Sequence, residues 1–254
     1  MRKRIAIVTG ATGGIGKEFA RLLMKEPVDE IWAVARNQEK LELLKSEYGE
    51  KVIPLSKDLS STKDLCEIGE LLEDTKPVVQ YLINNAGLAK MGSYKDFTLE
   101  EIEKTINVNC KAPVMLSNLC IPYMEKGSCI LNISSASAFQ PTPYINLYAA
   151  SKAFERSYSR ALNVEVASLG ITVTAVCPSW VDTEMLEKEI NGHKVKFPGL
   201  VTAKAAAEQA MKDAKRGKDM SVCSFYVKCQ HLYVKLMPQK LSMKIWMNEL
   251  KKYL

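Results

Sequence analysis

The feature that most constrains the fold is a regular alternation of short, unbroken apolar runs with segments of helical periodicity. The apolar runs are Ile5–Val8, Glu30–Ala35, Val52–Leu55, Tyr81–Ile83, Cys129–Ile133 and Ile171–Val176. Between them lie helical patterns at Ile15–Lys25, Glu39–Tyr48, Lys63–Leu72, Leu99–Met124 and Tyr148–Ser168, the fourth expected to be strained or bent at Pro113. Runs that do not alternate with polar residues belong to strands covered on both faces. Strands joined through helices make right-handed crossovers and a parallel sheet. The expected class is therefore α/β, a doubly wound parallel sheet of about seven strands with helices on both faces.

The rhythm breaks after the sixth run. Thr183–Gly199 is charged and carries Gly192, Pro198 and Gly199, so a loop or short helix is expected there. Thr202–Lys215 is helical again. After a short run from Met220, the region of about 226–254 alternates apolar and basic residues around Pro238 and reads as one or two amphipathic helices.

Charge follows this division. The net charge is +6, but residues 201–254 hold 11 Lys/Arg against 4 Asp/Glu, whereas the first 200 hold 24 against 25. Such a basic segment suits a solvated helix face, an anionic ligand, an anionic membrane surface or nucleic acid; the solvated face ranks first and no nucleic-acid partner is expected. At 47% hydrophobic and 25% charged the composition is that of a globular chain and excludes a disordered one. Seven scattered Cys and two His, without a C-x-x-C pair, argue for reduced thiols, a cytoplasmic location and no metal site. No apolar run is long enough to span a bilayer or serve as a signal sequence.

Thr9-Gly10-Ala11-Thr12-Gly13-Gly14-Ile15-Gly16 joins the first strand to the first helix. Small residues there let the backbone approach a pyrophosphate, and a helix N-terminus offers it N–H groups and a positive partial charge. A glycine turn needed for geometry alone is the plainer reading; its place between a buried strand and a helix favours a dinucleotide. At the end of the second strand, Arg36 stands where an acid would hold the ribose hydroxyls of NAD, and an Arg favours a 2′-phosphate, hence NADP(H). Asp58, after the third strand, is a candidate acceptor for the adenine amino group, or simply an acid favoured at a helix N-terminus.

Tyr148 and Lys152 are four residues apart and share a helix face. An ammonium near a phenol favours the phenolate, which is what a Tyr acid/base needs near neutral pH. Ser135, at the end of the fifth strand, can reach the same point and donate to a carbonyl oxygen.

Taken together these motifs resemble the short-chain dehydrogenase/reductase family, clearly over about residues 4–185 and loosely to the end. The chain carries Thr9-Gly10-x-x-x-Gly14-x-Gly16, Asn84-Asn85-Ala86-Gly87, Asn109, and Ser135 followed by Tyr148 and Lys152 in the family's order. The resemblance implies a Rossmann-like sheet within one dinucleotide-binding catalytic domain over residues 1–254. It implies that Thr9, Gly10, Thr12, Gly14, Ile15, Gly16, Arg36, Asp58, Asn85, Ala86, Gly87, Pro178, Val181 and Thr183 line NADP(H), together with Tyr148 and Lys152. Tyr148 would protonate a carbonyl, Ser135 orient it, Lys152 lower the Tyr148 pKa and bind the nicotinamide ribose, and Asn109 hold a relay water. One departure is Ser179, which stands where the family usually has glycine after Pro178.

The substrate expected from the sequence is an apolar ketone or secondary alcohol, first a hydroxysteroid or bile acid. The lid over about 183–199, with Met185, Leu186, Ile190, Val195 and Phe197, motivates that choice. A 3-ketoacyl thioester is the alternative, its anionic carrier met by the basic C-terminus. A non-catalytic NADP(H)-binding protein is a third reading, disfavoured because Tyr148 and Lys152 are both retained. The C-terminal segment is expected to cover the pocket or join subunits of a homodimer or homotetramer, ahead of touching a membrane surface.

Overall fold

The computed structural model describes residues 2–184, 186, 189–190, 193–195 and 197–251. Seven strands form one sheet: β1 (Arg4–Thr9), β2 (Glu30–Ala35), β3 (Val52–Ser56), β4 (Val78–Asn84), β5 (Cys129–Ile133), β6 (Thr172–Val176) and β7 (Met220–Ser221). Their order is β7-β6-β5-β4-β1-β2-β3, and every pairing is parallel. The expected doubly wound sheet is thus present. The strand order reverses between β1 and β4, so a crevice opens at their carboxyl ends, where such sheets bind ligands.

The unbroken apolar runs are explained by cover on both faces. In β1, Ile5 and Ile7 join a cluster with Leu65, Ile68, Leu72, Leu116 and Leu162. Ala6 and Val8 point the other way, toward Phe19, Leu23, Leu41 and Ala210. The first layer is built by α3 (Thr62–Thr75), α5 (Ala112–Cys120) and α6 (Asn146–Glu165), the second by α1 (Gly14–Leu23), α2 (Gln38–Tyr48) and α7 (Ala203–Lys215). Each fully buried Leu, Ile or Phe stabilises the fold by about 1.5–3 kcal/mol, so the two layers fix the sheet edge on which the site stands.

The expected helix over Leu99–Met124 is not one helix. Thr98 and Glu101 form a reciprocal capping box that starts α4 (Leu99–Ile106), a π-helical turn follows at Asn107–Lys111, and α5 then begins. The helical run continues from the π turn into α5, whose first turn holds Pro113, so the irregularity expected at Pro113 lies just ahead of it, in the turn that carries the buried Asn109.

Past β7 the chain forms two helices, α8 (Phe225–Leu236) and α9 (Gln239–Leu250), divided at Pro238. In α8, Val227 and Val234 are buried while Phe225, Leu232 and Leu236 face outward. Val227 joins a small cluster with Ala136 and Phe139, just past Ser135, and the His231 ring lies 4.1 Å from that of Phe139. One face of the C-terminal segment therefore packs beside the Ser135 loop. In the expected lid, Met185 and Gly192 lie outside the described residues; Glu189–Ile190 and His193–Lys194 pair antiparallel.

Candidate active site

Thr9 ends β1, and its buried side chain joins the two strands that flank the crevice. Its Oγ1 accepts the backbone N–H groups of Asn85 (2.9 Å) and Ala86 (3.0 Å) just past β4. Asn85 Nδ2 donates in return to the carbonyls of Thr9 (3.1 Å) and Gly10 (3.2 Å). This closeness is why glycine is required. Gly10 has φ +63°, and a Cβ there would lie 2.9 Å from Asn85 Nδ2. A Cβ on Gly16 would meet the Gly10 oxygen at 2.1 Å.

The turn delivers the chain into α1, whose N-cap is Gly13 with no side-chain cap, and no acid occupies its first turn. The N–H groups of that turn are thus left without a side-chain partner, and the space where a Gly13 Cβ would stand is open. Thr12 and Ile15 are half-buried beside it. Thr183 reaches the same point from beyond β6, with Cγ2 3.2 Å from where a Gly14 Cβ would be. The residues fit an anionic dinucleotide: a backbone cradle, room above it and no competing carboxylate.

Arg36 and Asp58 stand farther along the same edge, after β2 and β3. Arg36 is exposed and makes no ion pair within 4.0 Å among the described residues, while its charge reaches Asp58. Burial opposes ionisation of Asp58, but hydrogen bonds from the Ser60 N–H and hydroxyl, with the charges of Lys104 and Arg36, hold its carboxyl below the ordinary value. The two bonds from Ser60 make Asp58 part of the turn that leads into α3.

On the other side of the crevice, β5 is clamped to the start of α6. Lys152 Nζ donates to the Ile133 carbonyl (2.6 Å), Ser134 Oγ to the Lys152 carbonyl (2.6 Å), and Ser135 follows directly. Ser135 caps a short 3-10 turn, its Oγ accepting from Ser137 N–H at 3.2 Å. Pro178, after β6, holds that turn through its carbonyl, which accepts from Ala136 N–H at 2.8 Å. Val181 continues into a two-residue parallel pairing with Val201. Ser179 takes part by donating Oγ to the Pro198 carbonyl at 3.4 Å, a contact no glycine could make.

Tyr148 is half-buried in the first turn of α6, and the Lys152 ammonium lies 5.9 Å from the centre of its ring. Gly87 lies against that ammonium: a Cβ there would be 3.3 Å from Nζ. Asn109 is fully buried. Its Oδ1 accepts Leu88 N–H (2.8 Å), and its Nδ2 donates to the Leu88 carbonyl (2.9 Å) and to Ser151 Oγ (3.0 Å). Ser151 Oγ donates to the Tyr148 carbonyl at 2.8 Å, so Asn109 bridges the segment after β4 and the Tyr148 turn.

One partner was not foreseen from the sequence. Glu155, one helical turn past Lys152 and 1% exposed, takes the ammonium at 2.7 Å. Burial alone would drive Lys152 toward neutrality; Glu155, then the Tyr148 hydroxyl, keep it protonated, with a pKa above the ordinary one. Burial pushes Glu155 up to about 7 against the pull of Lys152.

Similarity to known proteins agrees with this layout. The short chain dehydrogenase family model matches residues 4–194. A very-long-chain 3-oxoacyl-CoA reductase from Anas platyrhynchos is 36% identical over 193 residues, covering 71% of this chain but only 60% of the duck protein. A ketoacyl reductase, HetN, from Nostoc sp. is 30% identical over 218 residues, covering 84% of this chain and 75% of the relative. Among solved structures, a short-chain dehydrogenase from Sphingobium yanoikuyae in complex with NADPH superimposes with a TM-score of 0.78 at 28% identity, over 94% of this chain and 95% of the other. A match that runs from the first strand to beyond the sixth, on a sheet of this order, makes the chain a member of the short-chain dehydrogenase family.

Proposed function

We propose that this chain is an NADP(H)-dependent ketoreductase that interconverts an apolar ketone and its secondary alcohol. The observation that carries the reading is the clamp between β5 and α6. It ties the β5 end that leads into Ser135 to the first turns of α6, which carry Tyr148 and a buried Lys152, and Gly87 lies against the Lys152 ammonium. The NADPH complex of the Sphingobium relative supports the cofactor, as does Arg36, which has no ion-pair partner among the described residues and stands at the β2 end where a 2′-phosphate would meet it.

When bound, the nicotinamide supplies or accepts the hydride. Around it, the chain's own residues handle orientation and the proton. Thr9, Gly10, Thr12, Gly14, Ile15 and Gly16 would hold the pyrophosphate end, Asp58 the adenine, and Asn85, Ala86, Gly87, Pro178, Val181 and Thr183 the rest. Ser135 Oγ donates to the carbonyl oxygen and fixes its direction. Tyr148 Oη gives its proton to that oxygen in reduction and takes it back in oxidation. Lys152 steadies the charge left on Tyr148, having spent two of its three N–H donors on Ile133 and Glu155. Asn109 supports this group through Ser151 and is proposed to hold the water that returns the proton.

For the substrate, we place a 3-ketoacyl thioester ahead of a hydroxysteroid or bile acid. The names of the duck and Nostoc relatives support the thioester, and the lysines of α8 and α9 suit an anionic carrier. The Phe197 and Trp180 rings, 5.3 Å apart at the lid base, favour an apolar body in either class. The test is Tyr148→Phe together with a panel of acyl thioesters, ketosteroids and bile acids followed by NADPH absorbance. NADPH binding survives the substitution while turnover falls at least about 100-fold; undiminished turnover refutes the reading.

A further inference from the structure

Glu155 is a charge where the fold has every reason to place an apolar residue. It lies on the buried stripe of α6 with Ala149, Lys152, Ser159 and Leu162. Isolated buried carboxylates are costly, and an ion pair out of water often gives no net stability over an apolar replacement. Its Oε2 is spent on Lys152, while Oε1 is buried with no hydrogen-bond partner among the described residues. The thiols that feel its charge are Cys110 from the π turn, held up to about 11 by burial and by Glu155 itself, and Cys177 after β6, held up to about 12 chiefly by burial. Arg156, next along α6, lies over the Phe139 ring at 5.2 Å and not against this carboxylate. Among the described residues, then, Lys152 is its only hydrogen-bonding cation, and the pair sits directly behind Tyr148.

We propose that Glu155 is a positioning residue that holds the Lys152 ammonium in place and, by its negative charge, keeps the Tyr148–Lys152 couple proton-bearing, biasing the site toward carbonyl reduction. The inference rests on the ketoreductase reading above and adds a preferred direction to it. The electrostatics are simple. With Glu155 ionised, neutral Tyr148, charged Lys152 and Glu155 sum to zero, and loss of a proton from the couple leaves a buried net charge of −1. Without Glu155 the same loss takes the couple from +1 to zero. A buried negative charge therefore raises the pH at which the couple gives up a proton, whichever of its two members releases it. The proton-bearing form is the one that can donate to a carbonyl oxygen, and the deprotonated form is the one that accepts from an alcohol.

The experiment compares full-length wild type with Glu155→Gln, which keeps the shape and a hydrogen-bond acceptor but removes the charge. The pH profiles of ketone reduction with NADPH and of alcohol oxidation with NADP+ are both recorded. In Glu155→Gln the basic limb of reduction and the acidic limb of oxidation both move down by about 1–2 pH units. The ratio of oxidation to reduction at neutral pH rises by about tenfold or more. Glu155→Asp, which restores the charge, returns the profile toward wild type. A purely structural role would lower stability or yield and leave both limbs where they are; superimposable profiles overturn the proposal. Tyr148→Phe is run in parallel. Turnover that survives it refutes the acid–base reading as a whole, whereas turnover lost there with unmoved Glu155→Gln profiles refutes only the role of Glu155. If Glu155→Gln does not fold, infrared spectra of wild type and Lys152→Met decide: a buried carboxylate that is ionised in wild type at the pH of reduction and becomes protonated in Lys152→Met supports the pairing, and a carboxyl that is protonated in wild type or unmoved in Lys152→Met overturns it.

Discussion

Gly16 lies so close to Gly10 across the nucleotide turn that a single methyl on it would stand 2.1 Å from the Gly10 carbonyl oxygen and 2.6 Å from Asn85 Nδ2. Neither obstacle is a flexible side-chain end free to swing away, since Asn85 is itself tied to Thr9 and Gly10. Gly16→Ala is therefore expected to push α1 off the turn, destabilising the protein by about 1–3 kcal/mol and abolishing NADPH binding. Urea unfolding and fluorescence titration with NADPH check both parts. Gly13→Ala is the control for the stability part: its Cβ meets nothing within 4 Å among the described residues, so the unfolding midpoint is expected to stay as in wild type.

Arg36 is exposed at the end of β2 without an ion-pair partner within 4.0 Å among the described residues. A free guanidinium at that strand end is suited to a phosphate through charge-assisted hydrogen bonds, each contributing about 1.5–3 kcal/mol. Arg36→Asp reverses the charge and offers an acceptor to ribose hydroxyls. The ratio of kcat/KM for NADPH to that for NADH is expected to fall by about 10–100-fold, with thermal stability little changed because the side chain is solvated. An unchanged ratio would assign the phosphate to another group.

The parts of this architecture written in local pattern were legible in the sequence. β1 through β6, the glycine turn and the Tyr148–Lys152 spacing each depend on neighbours within a few residues. The π turn was not, although Asn107, Val108, Asn109 and Cys110 are weak helix formers, because low propensity does not say which irregularity results; Asn109 in that turn is held by Leu88 and Ser151, contacts that no local window contains. Glu155 was missed for a different reason. Charged residues on helices usually face solvent, yet position 155 falls on the buried register shared by Lys152, Ser159 and Leu162. That periodicity was the available signal. The match of the C-terminal helices to the Ser135 loop and to Pro143 is a long-range packing outcome that no local window contains.

Asp213 provides a test at acid pH. It is 2% exposed on α7; its Oδ2 accepts from Gln209 Nε2 (2.9 Å) and Ser221 Oγ (2.8 Å), tying α7 to β7, and its Oδ1 pairs with the Lys218 ammonium at 2.6 Å. Burial opposes its ionisation, but these donors outweigh burial and hold its pKa below the ordinary 3.8. A carboxylate whose folded pKa is depressed gives stability that is full above the unfolded value and is lost as pH falls through the folded one. Asp213→Asn is expected to cost about 1.5–3 kcal/mol at neutral pH, with the gap to wild type closing below about pH 4. Urea unfolding at both pH values checks it; a gap that does not change with pH would mean that the charge is not what the bonds depend on.

Trp246 on α9 donates Nε1–H to the Pro143 carbonyl at 2.9 Å. The next residue, Tyr144, has φ +66°, a left-handed conformation that a non-glycine residue holds only when its surroundings impose it. Its carbonyl accepts Gly92 N–H at 2.7 Å, and α6 with Tyr148 begins two residues later. The C-terminal helix thus braces the loop that leads into the first turn of α6, which carries Tyr148. Trp246→Phe keeps most of the ring but removes the donor, leaving a strained loop with one anchor fewer, at a cost of about 1 kcal/mol. Small misplacements of reacting groups are expensive in rate, so kcat/KM for the ketone is expected to drop by about 5–10-fold. Hydrogen exchange of Tyr144–Leu147 should quicken in the same variant, while exchange in β1 and β4 stays as in wild type. Unaltered kinetics together with unaltered exchange would show that α9 merely covers this loop and does not hold it.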